Sequence, residues 1–238
     1  MLKTKFSAFS AFILTACFLS TSCTENPKSD QAEISEAREI SSVEDAANLS
    51  IDKSKSTMSW VGTRPGKRHN GTIGIKDGNL QVAKNDLVGG TIILDMNNID
   101  VLDIEGEDKQ KLTRHLKSDD FFATEQHPEG KFEITSVEEI SAVKITQNSN
   151  PQEDGEFKLS NPTHKITGNL TLRDKTLSIS FPARIYDSNE EVRAEAKFNI
   201  DRTRWGVSYQ DEAKAANKAK DKFIYNTVNV GLDIVVQK

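Results

Sequence analysis

The sequence contains little cysteine. Its 238 residues include two cysteines, Cys17 and Cys23, and both lie in the N-terminal segment. A disulfide framework, which small secreted domains use when their core is too small, is therefore excluded for the rest of the chain. The folded part must be held together by its hydrophobic core, and the chain is long enough to build one.

The sequence also lacks an excess of basic residues. It has 31 Lys and Arg against 36 Asp and Glu, which gives a formal net charge of -5. Nucleic acid is excluded as the main partner, since phosphate binding requires a positively charged face. Beyond the N-terminus no apolar run reaches the length of about 20 residues that a spanning helix requires, so we expect no internal membrane span.

Catalytic and metal-binding motifs are missing as well. There is no Gly-x-Ser-x-Gly elbow, no glycine-rich phosphate loop and no His-Glu-x-x-His. The four histidines are His69, His115, His127 and His164, and no two have the close spacing of metal ligands. We predict that the chain is not an enzyme, requires no cofactor and binds no metal. A metal site built from distant histidines remains the alternative.

The first 22 residues are typical of a targeting segment and do not enter the fold reasoning. Basic residues precede an apolar run over residues 6–19, and small polar residues then lead to Cys23. Small residues before a cysteine at this point resemble a bacterial lipoprotein cleavage site, after which the cysteine carries the lipid. We predict a signal peptide over residues 1–22 and lipidation of Cys23. Lipidation of Cys17 and an ordinary secretory signal are the alternatives.

Residues 23–50 are rich in Glu, Ser, Ala and Asp and contain few large apolar side chains. Such a composition cannot build a core, so we predict a flexible tether that precedes a folded domain over residues 51–238. The lipid would anchor the protein in the bacterial cell envelope, facing the periplasm. Thr24 follows Cys23 in place of the Asp that retains some lipoproteins at the inner membrane. We therefore expect the outer membrane.

The strand signal is clearest over residues 166–185, where apolar and polar residues alternate on both sides of Asp174-Lys175. This period of two predicts an antiparallel hairpin with its turn at that dipeptide. A second hairpin turn is predicted at Asp77-Gly78. Residues 107–117 instead have helical spacing. The alternation returns in further segments, namely 56–62, 72–76, 79–83, 91–96, 131–137, 194–200 and 227–237.

Many alternating segments with a single apolar face and one helical segment predict an all-β fold. A sandwich and a closed barrel both fit this pattern. The barrel is favoured because closure leaves no exposed sheet edge and encloses every apolar side chain in one lumen. We predict an eight-stranded antiparallel barrel with a short helical insertion, a size that can hold one small ligand.

Several motifs occur along the chain in a fixed order. They are Trp60 with His69-Asn70-Gly71, residues 112–122 followed by His127-Pro128-Glu129 and Phe132, residues 168–172, and residues 198–203 with Trp205-Gly206-Val207. In this order they resemble the YceI-like family of secreted bacterial lipid-binding proteins. The resemblance implies an extended lipocalin-like barrel that holds a long polyisoprenoid, such as the tail of a quinone, in its lumen. Residues 210–222 resemble an insertion near a barrel mouth.

The expected lumen residues are the apolar and aromatic side chains of the strands and motifs. They are Met58, Trp60, Ile92, Leu94, Phe121, Phe122, Phe132, Leu170, Leu172, Ile179, Phe181 and Phe198. Core packing is the alternative role for each aromatic residue. His115 is the candidate polar anchor, or else a cap on the core. We expect Asp201-Arg202 to brace the barrel end through a buried ion pair and backbone contacts. We expect residues 116–121 to form a lid or plug over one mouth of the barrel.

Functions of different classes fit these features. One is a lipid-anchored envelope protein whose barrel binds an isoprenoid or similar amphiphile for carriage or storage. Another is a structural or stress-related envelope barrel without a ligand, filled by its own Phe and Trp side chains. An enzyme acting on a lipid in the lumen has only scattered histidines in its favour. We predict the first function, with the lipid and the membrane as partners, and the sequence leaves open whether the chain forms a homodimer.

Overall fold

The computed structural model describes residues 26–40, 43, 45–140, 156–214 and 223–238. The predicted signal peptide, Cys17 and Cys23 lie outside the described residues. Part of the predicted excursion over residues 210–222 also lies outside them. Within the described residues, no helix combines the length and the apolar character that crossing a membrane requires.

The described residues form mainly β-strands. Most of the strands exceed ten residues, which an extended barrel requires. In chain order the elements are β1 (Glu33–Glu36), β2 (Ala47–Ser50), β3 (Thr57–Arg64), β4 (Lys67–Ala83), β5 (Asp86–Val101), α1 (Gly106–Lys117), β6 (Glu129–Glu139), β7 (His164–Leu172), β8 (Lys175–Asp187), β9 (Glu191–Asp201), a 3-10 helix (Arg202–Trp205) and β10 (Thr227–Gln237).

Strands β3 to β10 form a closed antiparallel barrel. Each strand pairs with the next along the chain, and β10 returns to pair with β3. The predicted eight-stranded barrel with one short helix is therefore confirmed. Closure directs the alternating apolar side chains into one interior, although β8 and β9 leave part of their facing edges unpaired with each other. The short strand β2 lies outside the barrel and pairs with β4.

The turns differ from their predicted positions. The β7–β8 hairpin exists, but its two-residue loop is Arg173-Asp174, with φ of 49° and 57°, and Lys175 already belongs to β8. Both residues are left-handed, as a I′ loop requires, although neither is glycine. The predicted turn at Asp77-Gly78 is wrong, because β4 is continuous there and only its register shifts.

The backbone conformation of Gly78 explains why the Asp77-Gly78 pair resembles a hairpin turn in the sequence. Its φ is 153°, and a Cβ there would lie 2.4 Å from the carbonyl oxygen of Thr91 on the neighbouring strand. Only glycine tolerates both this conformation and this close approach. The Asp-Gly pair therefore marks an irregularity inside two long strands and not a reversal of the chain.

The barrel closes incompletely between β8 and β9. These two strands pair directly from Ala183 to Asp187, and β1 fills the gap beyond this point. Ile34 of β1 pairs with Ile179 of β8, and the backbone N–H of Ala32 donates to the Asn199 carbonyl of β9 at 2.9 Å. Strand β1 and the residues just before it therefore bond to β8 and to Asn199 of β9, where the two barrel strands do not pair with each other.

Residues 26–40, which we call the strap, are fixed to the barrel, with β1 in the gap between β8 and β9 and other strap residues bonded to side chains of the outer face. The side-chain amide of Asn169 accepts from the Arg38 N–H at 2.9 Å and donates to the Arg38 carbonyl at 2.7 Å. The Asn199 side chain donates to the Pro27 carbonyl at 2.8 Å. The predicted flexible tether is wrong for these residues. Hydrogen bonds to polar groups on the outer face hold the strap, and hydropathy does not reveal such bonds.

We expect Asn169→Ala to lower the free energy of unfolding by about 1–3 kcal/mol, because it removes two partly buried hydrogen bonds to the Arg38 backbone, each worth about 0.5–1.5 kcal/mol. Hydrogen exchange should accelerate in residues 32–38 and stay slow in β5 and β10. Asn48→Ala removes a solvent-exposed side-chain bond to Asn79 and should change stability by less than about 0.5 kcal/mol. Unchanged exchange in β1 of the Asn169 variant would contradict the role given to this side chain.

Candidate functional site

One end of the barrel interior contains an apolar cavity of about 110 Å³. We call this end, where β3 and β9 finish and β10 begins, the cavity end. Apart from Arg202, every side chain around the cavity is apolar. The lining residues are Met58, Trp60, Gly62, Ile73, Met96, Ile99, Leu116, Phe121, Phe122, Leu172, Ile200, Arg202, Trp205, Val207, Ile224, Val228 and Val230. Such a surface suits hydrocarbon and offers little to a polar ligand.

The other half of the lumen is filled by side chains. The Phe181 and Phe198 rings stack with their centroids 4.0 Å apart, and the Phe132 ring lies 5.6 Å from that of Phe181. The space left among the core residues is about 20 Å³. A Cβ at Gly168 would come within 2.6 Å of the Phe132 ring, so a glycine here lets that ring lie against β7. This half of the barrel is a packed core.

The predicted lumen residues divide among these two halves. Met58, Trp60, Phe121, Phe122 and Leu172 line the cavity. The remaining seven lie elsewhere in the core: Ile92, Phe132 and Phe181 around the filled half, and Leu94, Leu170, Ile179 and Phe198 buried without lining either space. Alternation identifies the inward face of a strand, but it carries no information about position along the barrel axis.

Sequence reasoning missed several lining residues, among them Gly62, Met96 and Trp205. Gly62 has the same parity as Met58 and Trp60, so the period of two could have identified it. Its missing side chain contributes to the cavity, because a Cβ there would have no neighbour closer than the Trp60 ring at 4.0 Å. Trp205 comes from the 3-10 helix beyond β9, where strand periodicity no longer applies.

Helix α1 and the residues that follow it cover the cavity. Leu116 from the last turn of the helix and Phe121 and Phe122 from the connection reach the lining. Ser118 ends the helix by donating its N–H and its hydroxyl to the His115 carbonyl, at 3.1 and 2.8 Å. The Arg173 guanidinium donates to the Phe121 carbonyl at 3.0 Å and so ties this cover to the β7–β8 turn.

His115 lies behind the cover and does not line the cavity. Its ring stands edge-on to Phe121, with centroids 4.9 Å apart, and edge-on to Tyr209 at 4.7 Å. Its Nε2 lies 3.0 Å from a carboxylate oxygen of Asp120. In this position His115 supports the aromatic side chains of the cover from outside.

Arg202 joins the segments at the cavity end. Its side chain is buried, and its guanidinium donates to four backbone carbonyls, those of Val207 (2.6 Å), Tyr209 (2.9 Å), Ile224 (3.0 Å) and Tyr225 (3.2 Å). Burial lowers the pKa of Arg202 from its usual value. Among the described residues no carboxylate lies within 4.0 Å of this guanidinium, so the predicted ion pair is wrong while the predicted backbone contacts are present.

Asp201 caps the 3-10 helix and does not form the predicted ion pair with Arg202. Its carboxylate accepts from the N–H and the hydroxyl of Thr203, at 2.9 and 2.6 Å, and thereby caps the 3-10 helix. The helix in turn places Trp205, whose indole N–H donates to the Leu170 carbonyl at 3.0 Å. The Asp-Arg-Thr and Trp-Gly motifs are therefore the parts that terminate the barrel at the cavity.

The His69-Asn70-Gly71 motif is also structural. The His69 ring and the Asn70 N–H bind the two oxygens of Asp103, at 2.8 and 2.9 Å. Burial raises the pKa of Asp103, but these hydrogen bonds outweigh it and hold the pKa below its ordinary value. A Cβ at Gly71 would lie 1.9 Å from the Asp100 carbonyl oxygen. Within the described residues, no group of three or more His, Cys, Asp or Glu side chains is arranged to hold a metal ion.

A sequence model of the YceI-like domain family matches residues 49–236, well over half of the chain. The chain belongs to the YceI-like family. Among curated proteins, none matches this YceI-like chain significantly. Similar solved structures exist, and their likeness shows the fold.

The crystal structure of BcnA from Burkholderia cenocepacia superposes with a TM-score of 0.57 at 14% identity, covering 78% of this chain and 99% of BcnA. A polyisoprenoid binding domain from Saccharophagus degradans, implicated in plant cell wall breakdown, has a TM-score of 0.52 at 12% identity. That match covers 79% of this chain and 97% of the domain.

We expect Arg202→Met to lower the free energy of unfolding by about 3–5 kcal/mol, because four carbonyls lose their donor while the apolar stem is kept. Arg202→Lys should recover part of this loss, since an ammonium has three donors but no planar fork. Urea unfolding of both variants measures the effect. Arg204→Met, an exposed change in the same 3-10 helix, is the control and should be nearly neutral.

The acid stability of the cavity end should depend on Asp211. Hydrogen bonds from the Asn226 side chain and from the Ala213 N–H, both at 2.9 Å, lower the pKa of Asp211. A lowered folded pKa stabilises the fold above the unfolded pKa of about 4, and this stability is lost as pH falls through the folded value. Asp211→Asn should therefore reduce stability at neutral pH and flatten its decline in acid. Parallel pH profiles of the two proteins would contradict this assignment.

Proposed function

We propose that this chain is a non-enzymatic envelope protein that binds the apolar part of a polyisoprenoid or similar lipid in its barrel, for carriage or storage. The observation that carries the proposal is the cavity at the end of the barrel, which is lined by apolar side chains and by Arg202. The guanidinium of Arg202 is already hydrogen-bonded to backbone carbonyls. The family supports a lipid-binding barrel, as does the related fold of the Saccharophagus polyisoprenoid binding domain. An isoprenoid quinone is one lipid of this class.

The size of the cavity limits what it can hold without rearrangement. Pockets for drug-sized ligands occupy roughly 300–1,000 Å³, and an engineered apolar cavity of about 150 Å³ binds benzene. At about 110 Å³, this cavity has room for the end of a branched hydrocarbon chain. A longer ligand requires the cover to shift, and Met58 and Met96 can adapt because their side chains are unbranched and flexible.

The proposal includes a lipid anchor at Cys23, with Cys17 as the alternative, and a position on the periplasmic side of the outer membrane. It rests on the small residues before Cys23 and on the abrupt change to polar sequence after it. An anchored barrel would meet its lipid at the membrane and would not need to extract it from solution. The proposed absence of catalysis rests on the sequence, in which no catalytic motif occurs.

A ligand-free structural barrel is the second candidate function. The filled half of the lumen favours it, because Phe181 stacks on Phe198 and contacts the tilted Phe132 ring, and the space left in this half is only about 20 Å³. Under this alternative the side chains of the cover would also stay closed in the presence of lipid.

The test is native mass spectrometry of the protein isolated from bacterial envelopes, before and after incubation with an isoprenoid quinone. We expect an added mass that matches a prenyl lipid. Gly62→Leu should abolish this mass by filling the cavity, because a side chain at this position enters open space. It should also raise the free energy of unfolding by about 1–2 kcal/mol, since cavity volume costs about 24 cal/mol per Å³.

Thr72→Leu is the matched control. Thr72 lies in a groove on the outside of the barrel and is not part of the cavity lining, so its change leaves the lining intact. Lipid uptake that persists in Gly62→Leu would place the ligand outside the cavity. A bare protein mass under every condition would favour the structural alternative.

A further inference from the structure

Asn26, in the strap, lies at the cavity end of the barrel. The Thr63 hydroxyl donates to the side-chain oxygen of Asn26 at 3.0 Å, and Thr63 is only 2% exposed. The residue before Thr63 is Gly62, which lines the cavity. The next residue of the strap is held as well, since the Pro27 carbonyl accepts from Asn199 at 2.8 Å. The start of the strap is therefore fixed beside the cavity.

The proposed lipid attachment site lies close to this point along the chain. Cys23 precedes Asn26 by three residues. Even when fully extended, three residues span at most about 11 Å. A lipid on Cys23 would thus hold the cavity end, and not the opposite end, near the bilayer. This step rests on the lipidation included in the proposed function.

Three exposed basic side chains lie on the hairpin beside Asn26, although the chain as a whole has a negative net charge. The tip of the β3–β4 hairpin exposes Arg64, Lys67 and Arg68, whereas the formal net charge of the protein is -5. No carboxylate of the described residues lies within 4.0 Å of the Arg64 or Lys67 side-chain nitrogens. Arg68 has one such partner, Glu156, at 3.7 Å, and Arg68 also lies over the Phe157 ring at 5.2 Å.

An exposed leucine adjoins the same hairpin. Leu102 is 56% exposed, one of the few large apolar side chains in the described residues that remain so accessible. Its N–H donates to the carbonyl of Asn70 at 2.9 Å, and Asn70 pairs with Val61 in the hairpin. Basic side chains beside an exposed apolar one are the combination that binds the interface of an anionic bilayer.

We infer that Arg64, Lys67, Arg68 and Leu102 form a docking patch for an anionic lipid surface, which turns the cavity end of the anchored barrel toward the membrane. The cations contact the headgroup phosphates, each adding to a weak attraction, and the leucine enters the interfacial layer. Stable attachment to a bilayer needs two membrane-binding elements, and the acyl chain on Cys23 is the second one beside the docking patch. In this orientation a lipid passes between bilayer and cavity without crossing bulk water.

The experiment is lysine footprinting of the protein isolated from envelopes and reconstituted into vesicles of equal parts phosphatidylcholine and phosphatidylglycerol. An impermeant amine-reactive reagent labels exposed lysines, and mass spectrometry gives the labelling rate of each one. Lys67 reports on the docking patch, and Lys84, in the β4–β5 turn at the opposite end, is the reference. We expect Lys67 to react several-fold more slowly on vesicles than after detergent extraction, and Lys84 to react equally fast in both.

Paired variants test the role of charge. Arg64→Gln with Arg68→Gln keeps Lys67 as the probe and should remove most of its protection. Lys53→Gln with Lys55→Gln makes the same change of charge near the opposite end and should leave the protection intact. Vesicles of phosphatidylcholine alone should protect Lys67 less than the anionic vesicles do. Equal protection of Lys67 and Lys84, or none at Lys67, would overturn the inference.

The lipid content of the cavity, measured by mass spectrometry of the same samples, separates this inference from the proposed function. An empty cavity together with a protected Lys67 would count against the ligand and leave the orientation standing. A filled cavity together with a freely reactive Lys67 would overturn the orientation alone. A protein without an acyl group that does not stay with the vesicles would overturn the anchor and the orientation together.

Discussion

The structure depends on the closure of one sheet between β8 and β9. Because the pairing stops at Ala183 and Ala196, closure near the cavity end requires an additional strand. Strand β1 and the residues before it provide it, since β1 pairs with β8 while Asp30 and Ala32 bond to the Asn199 backbone. Without closure, the alternating apolar faces would meet water at two sheet edges, and neither a common interior nor a cavity would exist.

The two ends of the interior differ because different groups fill them. Toward the filled half, the rings of Phe181 and Phe198 stack, and the Phe132 ring packs at a tilt against Phe181. At the cavity end the strands stop, and helix α1, the 3-10 helix and Arg202 cover the opening through hydrogen bonds to backbone carbonyls. The positions of these covering elements are set by their hydrogen bonds, so their side chains pack less tightly than those of paired strands. An apolar volume is left beneath them.

Much of the fold follows from local patterning, and the candidate site follows from it only in part. A period of two identifies inward-facing positions, so it finds Met58 and Trp60 in the cavity, but it treats Phe198 in the same way although Phe198 is packed in the core. For Asp201-Arg202 the sequence predicts a buried ion pair and backbone contacts, and among the described residues only the backbone contacts are present. In the folded chain, four carbonyls from two other segments are the partners of Arg202.

The strand periodicity, the single apolar face, the position of the helix and the family can all be predicted from the sequence, because each depends on the local order of residues along the chain. That residues 26–40 bind the barrel, and that the cavity occupies one end of it, becomes visible only in the folded chain. Both results depend on contacts between residues far apart in sequence, such as Arg38 with Asn169 or Gly62 with Val228. A period of two specifies the side of a strand, and only pairing register and closure specify depth within the barrel.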